Sequence, residues 1–216
     1  MRVAISWSGG KDSCLALCEA IKNGCTPVIL ITMVDFRGYS RSNGIHISIL
    51  QEQANSIGLP IFFKETEWND YEKNLIYSLL YVTNIYNLKG CVFGDIDIIE
   101  HRIFEEKVCL ASNLIAILPL WGLDREAVKE SIITENIMCY ISSVASRPEM
   151  LKTILGKPYE LLDFNLMKRM GVDVCGENGE FHTVVYNAEL IGLKVSIKQK
   201  HIHNLSNTIL CEFLLE

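Results

Sequence analysis

Residues Val28 to Val34 read V-I-L-I-T-M-V, a continuous, mostly β-branched run without a charge. A strand with no solvent side must be covered on both faces, as the inner strands of parallel sheets are. The surrounding sequence supplies the covering helices. Val3 to Trp7 is a short apolar strand that runs into Ser8-Gly9-Gly10. Cys14, Leu17, Cys18 and Ile21 then fall at i, i+3, i+4 and i+7, an amphipathic helix that Gly24 ends. Ile47, Leu50, Ala54 and Ile57 line a second helix, closed by Gly58 and Pro60 before a strand at Ile61–Phe63. A long helix over Tyr71–Leu88 and a strand at Cys91–Phe93 come next, then a helix over Arg102–Leu114 and a strand at Ala116–Leu120. A helix over Asp124–Asn136 and one more strand, Met138–Val144, complete the series. Alternation of this kind crosses over right-handed and gives an α/β fold with a doubly wound parallel sheet. Ligands of such sheets sit beyond the carboxyl ends of the strands, so the loops at 8–13, 35–46 and 94–102 should meet around one crevice.

The rhythm changes near residue 145. Two short helical stretches (Arg147–Leu155, Tyr159–Met170) lead into a glycine-rich segment. Phe181–Tyr186, Val195–Lys200 and Thr208–Leu214 then read as antiparallel strands without helices between them. The expected division is residues 1–145 as a nucleotide-binding domain and 146–216 as a small C-terminal α+β domain that binds substrate. With 216 residues, 49% of them hydrophobic, the chain can bury a substantial core. A net charge of −6 makes nucleic acid a poor partner. No apolar run approaches the roughly 18 residues of a membrane span, and the first residues do not resemble a signal peptide. Eight cysteines without a C-x-x-C pair read as reduced residues of a cytoplasmic protein, Cys14 and Cys18 as helix core. The aromatic helix from Tyr71 leaves room for a homo-oligomer interface, and His201-Ile202-His203 reads as a surface strand rather than a metal pair.

The densest chemistry lies at Ser8-Gly9-Gly10-Lys11-Asp12-Ser13, between the first strand and the first helix. Glycines let the backbone approach an anion, and the amides and positive dipole of the helix start favour phosphate. Lys11 adds charge, Ser8 and Ser13 add hydroxyls, and Asp12 suits Mg²⁺ held against the phosphates. Lys11 is expected to stand exposed in the crevice, so that its removal would spare the fold. A second motif, Gly94-Asp95-Ile96-Asp97 with His101-Arg102, offers a carboxylate for a cation or substrate amine and an arginine fork for an anion. A third, Gly171 to Thr183, packs three glycines, Glu177, Glu180, Asn178 and His182 into thirteen residues, a shaped loop entering a strand. Carboxylates beside a histidine suit general acid–base work, with His182 facing away from Phe181 and Thr183.

S-G-G-K-D-S after an N-terminal strand resembles the PP-loop of the N-type ATP pyrophosphatases, whose fold is adenine nucleotide alpha hydrolase-like. With His46 to Pro60, Gly94-Asp95-Ile96, Pro119-Leu120-Trp121-Gly122 and Cys175-Gly176-Glu177-Asn178-Gly179-Glu180-Phe181-His182-Thr183, the chain is similar to the diphthine–ammonia ligase family over most of its length. The resemblance implies a ligase that cleaves ATP to AMP and pyrophosphate, adenylates a carboxylate and amidates it with ammonia. It implies catalytic roles for Lys11, Asp12, Asp95, Glu177, Glu180 and His182. Ser8, Gly9, Gly10, Lys11, Asp12, Ser13, His46 and Gly94 would hold the nucleotide, and Arg102, Cys175, Gly176, Asn178 and Thr183 the small-molecule or protein-borne acid. Ile98-Ile99-Glu100-His101-Arg102 stands where diphthamide-making enzymes usually carry aromatic–Gln–Arg. That form looks like a bacterial branch, in which the acceptor is open between a diphthine-like carboxylate and another acid. The other readings are a tRNA-modifying PP-loop enzyme and an ATP-binding protein without turnover.

Overall fold

A computed structural model describes residues 1–146, 149–205 and 207–216. Its first half alternates as the sequence pattern requires. The elements are β1 (Arg2–Ser6), α1 (Lys11–Lys22), β2 (Thr26–Val34), α2 (Ile47–Ile57) and β3 (Ile61–Glu65). They continue through α3 (Tyr71–Tyr86), β4 (Gly90–Val92), α4 (Ile99–Ala111), β5 (Ile115–Ile117) and α5 (Arg125–Thr134). The five strands form one parallel sheet in the order β3-β2-β1-β4-β5. The chain winds from β1 outward to β3, then returns to start β4 on the other side of β1. The reversal between β1 and β4 opens the crevice that this topology gives to ligands.

Leu75, Leu79, Val82, Val108 and Cys109 of α3 and α4 cover one face of this sheet. On the other face α1 contributes Cys14, Leu15, Leu17 and Cys18, all fully buried, beside Leu50 and Ala54 of α2. Cys14 and Cys18 are thus core residues, as their spacing predicts. Ile21, placed on the same stripe, is 39% exposed because it lies in the last turn.

The second half contains β6 (Met138–Ala145), α6 (Phe164–Arg169), β7 (Phe181–Ala188), β8 (Leu193–Lys194), β9 (Ile197–Asn204) and β10 (Thr208–Leu215). These strands make an antiparallel sheet in the order β8-β7-β6-β10-β9. One placement differs from the sequence reading. Following a helix, β6 looks like a sixth parallel strand, yet it pairs antiparallel with β7 and β10 at the centre of the second sheet. That sheet therefore draws on residues from both sides of the division expected at 145. Of the helical stretch read from Arg147 to Leu155, Arg147 and Pro148 lie outside the described residues, and a short 3-10 turn runs from Glu149 to Thr153. The face of the first sheet that carries α1 and α2 shares a continuous apolar core with the second sheet, including Cys139, Ile141, Phe181 and Val185. Among the described residues no helix is long and apolar enough to cross a membrane.

Candidate active site

The loop from Ser8 to Ser13 is shaped by close packing at two glycines. Gly9 has φ +77°, and a Cβ there would lie 2.5 Å from Leu50 Cδ2 and 2.8 Å from Gln53 Oε1. A Cβ on Gly10 would lie 2.2 Å from Asn43 Nδ2 and 3.1 Å from the Thr183 carbonyl. Gln53, fully buried, donates through Nε2 to the carbonyls of Gly9 (3.1 Å) and Val185 (2.7 Å) and accepts from Trp7 Nε1 (2.9 Å). The Val185 amide donates to Gly9 O at 2.9 Å and the Lys11 amide to Thr183 Oγ1 at 3.0 Å. The loop is thereby fixed from β7 as well as from its own sheet. Ser8 Oγ receives the Gly10 amide at 3.2 Å and meets Ser13 Oγ at 3.0 Å.

A cleft of about 650 Å³ opens from this loop. Ser8, Lys11, Asp12 and Ser13 form its floor, Gly94, Asp95 and His101 one wall, and Cys175, Gly176, Glu177, His182 and Thr183 another. Gly94 is a contact point: a Cβ there would sit 2.8 Å from the backbone carbon of Asp12. The three motifs, far apart in the chain, thus converge as the topology predicts.

Individual side chains depart from expectation in instructive ways. Lys11 is not exposed but 2% accessible. Its ammonium donates to Asp12 Oδ2 at 2.8 Å and to the Cys175 carbonyl, and lies 5.4 Å from the Phe181 ring centroid. Burial by itself would lower its pKa, but the Asp12 carboxylate and the other acidic groups around it win, and the pKa is raised. The inward turn is sustained by what the head meets there: the two acceptors and the rings of Phe181 and Tyr159, whose centroids lie 5.4 and 6.0 Å from the ammonium. Asp12 Oδ1 is buried without a hydrogen-bond partner. A lone carboxylate oxygen facing a phosphate loop fits a hard cation that takes its other ligands from phosphate and water. No group of three or more metal-type side chains is gathered among the described residues, and such a cation does not need one.

Glu177 is pushed up to about 7, by burial first and by the nearby Asp12 charge second, with Lys11 and Arg125 pulling the other way. His182 is lowered by burial and then by Lys11, so it is neutral at pH 7. It alternates with buried Phe181 and Thr183 as the strand pattern predicts. The Cys175 thiol is pushed up to about 12 by burial, which makes it a packed donor (Sγ to Arg125 O, 3.4 Å) rather than a nucleophile.

Glu180, expected among the catalytic groups, instead braces its own loop. It accepts from the amides of Asp173 and Asn178, each at 3.0 Å, and from Asn178 Nδ2 at 3.2 Å. Asn178 is occupied by the same carboxylate and does not line the cleft. Arg102 also stays out of the cleft. One residue on from His101 it points elsewhere on α4, pairs with Glu106 at 2.7 Å and lies over Trp121. His46 caps α2, its Nδ1 accepting from the Ser48 amide at 3.3 Å, and faces Tyr39 rather than the nucleotide loop. His203 meets Glu212 at 3.2 Å and His201 is exposed, so the surface reading of that pair fits.

Three residues on the cleft or behind it escaped the sequence reading. Arg125 bonds Asp97 (2.7 Å) and Asp173 (3.0 Å) and approaches Glu177 at 3.9 Å, linking the second motif to the third. Arg41 lies over Trp68, 4.8 Å from the ring, and pairs with Glu67. Glu105 is 6% exposed. A signal for it existed: it falls three and four residues before Val108 and Cys109, on the buried stripe of α4.

The family profile of the diphthamide synthase N-terminal domain matches residues 1–115. The chain belongs to the diphthamide synthase family. Among its relatives is a diphthine–ammonia ligase of Bos taurus, 26% identical over 94% of this chain and 85% of that protein. The diphthine–ammonia ligase of Rattus norvegicus is 28% identical over 91% of this chain and 83% of its own length. The solved structure of a predicted subunit of tRNA methyltransferase from Methanocaldococcus jannaschii superposes with a TM-score of 0.48 at 18% identity, covering 88% of this chain and 98% of that one. This member of the diphthamide synthase family is a ligase of the ATP-dependent kind.

Proposed function

We propose that the protein adenylates a carboxylic acid with ATP, releasing pyrophosphate, and that ammonia then displaces AMP to leave an amide. The observation that carries this reading is the Ser8–Ser13 loop at the strand-order reversal, with the Cys175–Thr183 loop closing over it. The N-terminus of α1 and the hydroxyls of Ser8 and Ser13 would hold the triphosphate, opposing the charge that grows on the departing pyrophosphate. Asp12 Oδ1 would hold Mg²⁺ there, which supplies further charge neutralisation when bound. Lys11 acts one step back, fixing the Asp12 carboxylate and tying the Cys175 carbonyl to the loop. Glu177, poised near neutrality, can take or return a proton at the reacting acid, and neutral His182 can accept one beside it. The parallel sheet serves the nucleotide, and the antiparallel sheet, through residues 175–183, serves the acceptor.

The acceptor is a carboxylate of the class that diphthine–ammonia ligases use, a modified amino-acid side chain or a small acid of similar shape. A screen of carboxylic acids with ATP, with and without ammonium, tests the reading. AMP and pyrophosphate are expected together with an amide; ADP and phosphate as products would exclude it.

A further inference from the structure

His101 has no part in the reaction just described, yet it lines the cleft. Its Nδ1 lies 2.6 Å from Oδ1 of Asp95, a residue of the same wall. Among the described residues this is the one histidine–carboxylate hydrogen bond inside the cleft; the other, between His203 and Glu212, joins β9 to β10 outside it. Asp95 is held from both sides. Before it, Gly94 packs so closely on the phosphate loop that a Cβ would lie 2.8 Å from the Asp12 carbon and 2.9 Å from the Ser13 nitrogen. After it, Ile96 is fully buried, and its carbonyl accepts from the Gly122 amide at 2.7 Å. His101 sits in the first turn of α4, its amide donating to the Ile98 carbonyl at 3.1 Å. The pair is thereby fixed beside the loop that would hold the triphosphate, with the His101 side chain 57% exposed.

The hydrogen bond decides which ring nitrogen is free. A carboxylate oxygen has no hydrogen to give, so at 2.6 Å it accepts one from Nδ1, and the lone pair of the neutral ring stays on Nε2. In this arrangement a histidine can take a proton from an attacking nucleophile while the carboxylate holds its tautomer and balances the imidazolium. The second half of the proposed reaction has such a nucleophile. We propose that His101 is the base that takes a proton from ammonia as it attacks the acyl adenylate, with Asp95 positioning the ring. The proposal rests on the ligase reading above. The nitrogen lone pair makes the new C–N bond, and the carbon–oxygen bond to AMP breaks with its electron pair leaving on the phosphate. Two of the three nitrogen hydrogens stay in the amide, and the third passes as a proton to Nε2. AMP departs as an anion and needs no proton, so the exposed ring returns its own to water. His182, on the other wall, is in hydrogen-bond contact with no carboxylate among the described residues, and the Lys11 charge opposes a second one there.

The test uses the whole chain and has two arms. Nitrogen-15 NMR of the neutral ring, without substrate, should show the His101 hydrogen on Nδ1 in the natural protein. In Asp95→Asn, whose amide can donate to Nδ1, it should move to Nε2. A hydrogen mainly on Nε2 in the natural protein overturns the assignment. The second arm uses the acid that gives the fastest ATP–pyrophosphate exchange, with ammonium chloride as nitrogen source. His101→Gln keeps a donor toward Asp95 and loses the base, and the exposed position spares the core. Its kcat for amide formation should fall about 100-fold or more, with exchange and the KM for ATP and acid unchanged. Asp95→Asn should lower the same kcat although the histidine is present. Added imidazole should restore part of the rate to His101→Ala, which the loss of a merely structural ring would not allow. Amide formation by His101→Gln at the natural rate, or a parallel loss of exchange, overturns the assignment while exchange by the natural protein still supports the ligase reading. No exchange by the natural protein on any acid overturns the ligase reading, and with it the role of His101 in amidation.

Discussion

Glu177 and Glu105 line the same cleft and both are mostly buried, but their protons are held very differently. Glu177 reaches about 7 because Lys11 and Arg125 offset its burial and the Asp12 charge. Glu105 reaches about 10 because the charges acting on it are other carboxylates. Desolvation is common to both, so the neighbouring cations decide whether a buried carboxyl is ready to exchange protons near pH 7 or stays neutral. The side of the cleft next to the second sheet has those cations. On the side formed by α4 the Arg102 guanidinium is taken up by Glu106, and the groups that set the Glu105 proton, after burial, are the carboxylates of Asp95 and Glu106.

Removing a cation is the strongest way to break this contrast. Lys11→Met should cost about 3–5 kcal/mol in urea unfolding, because it strands the partly buried Asp12 carboxylate and a loop carbonyl. The same change should move the Glu177 titration upward toward that of Glu105, readable by carboxyl NMR. Arg125→Met comes next. It releases Asp97, Asp173 and Glu177 at a more exposed position, so a loss of about 1–3 kcal/mol is expected, with a smaller upward shift of Glu177.

The third prediction concerns pH. A carboxyl whose pKa is raised on folding binds more protons folded than unfolded, so its contribution is intact at acid pH and is lost as pH rises. For Glu105 the window runs from 4.5 to about 10, and for Glu177 from 4.5 to about 7. Glu105→Gln should therefore flatten the decline of stability with pH, most visibly above about pH 8, where Glu177 has given up most of its proton and Glu177→Gln changes the slope little. Equal slopes for the natural protein and Glu105→Gln in this range would contradict the contrast. The smallest effect belongs to Arg102→Ala, which breaks an exposed pair on α4 and should change stability by less than about 0.5 kcal/mol.

The parallel sheet and the three converging motifs were legible because each rests on local pattern. A β-branched run, a helical stripe and a glycine turn are written in adjacent residues. The fate of β6 was not, since a strand after a helix reads the same whether its partners are parallel or antiparallel, and its partners β7 and β10 come much later in the chain. Within the site, motif membership predicted where residues lie but not which way they face. Lys11 and Glu180 sit in the right loops and point to internal partners. Arg102 and His101 are adjacent, yet His101 lines the cleft and Arg102 does not. Arg125 and Glu105 carry no motif at all; only contacts across the fold give them meaning.

The bonds from Val185 to Gly9 and from Thr183 to Lys11 carry a consequence for how the molecule is made. Lys11 and Thr183 are 172 residues apart, so the strand that secures residues 8–13 is synthesised well after them. Until β7 has been made, the nascent chain should therefore have no finished grip on phosphate, and the ability to bind nucleotide should arrive abruptly with that strand rather than grow with chain length.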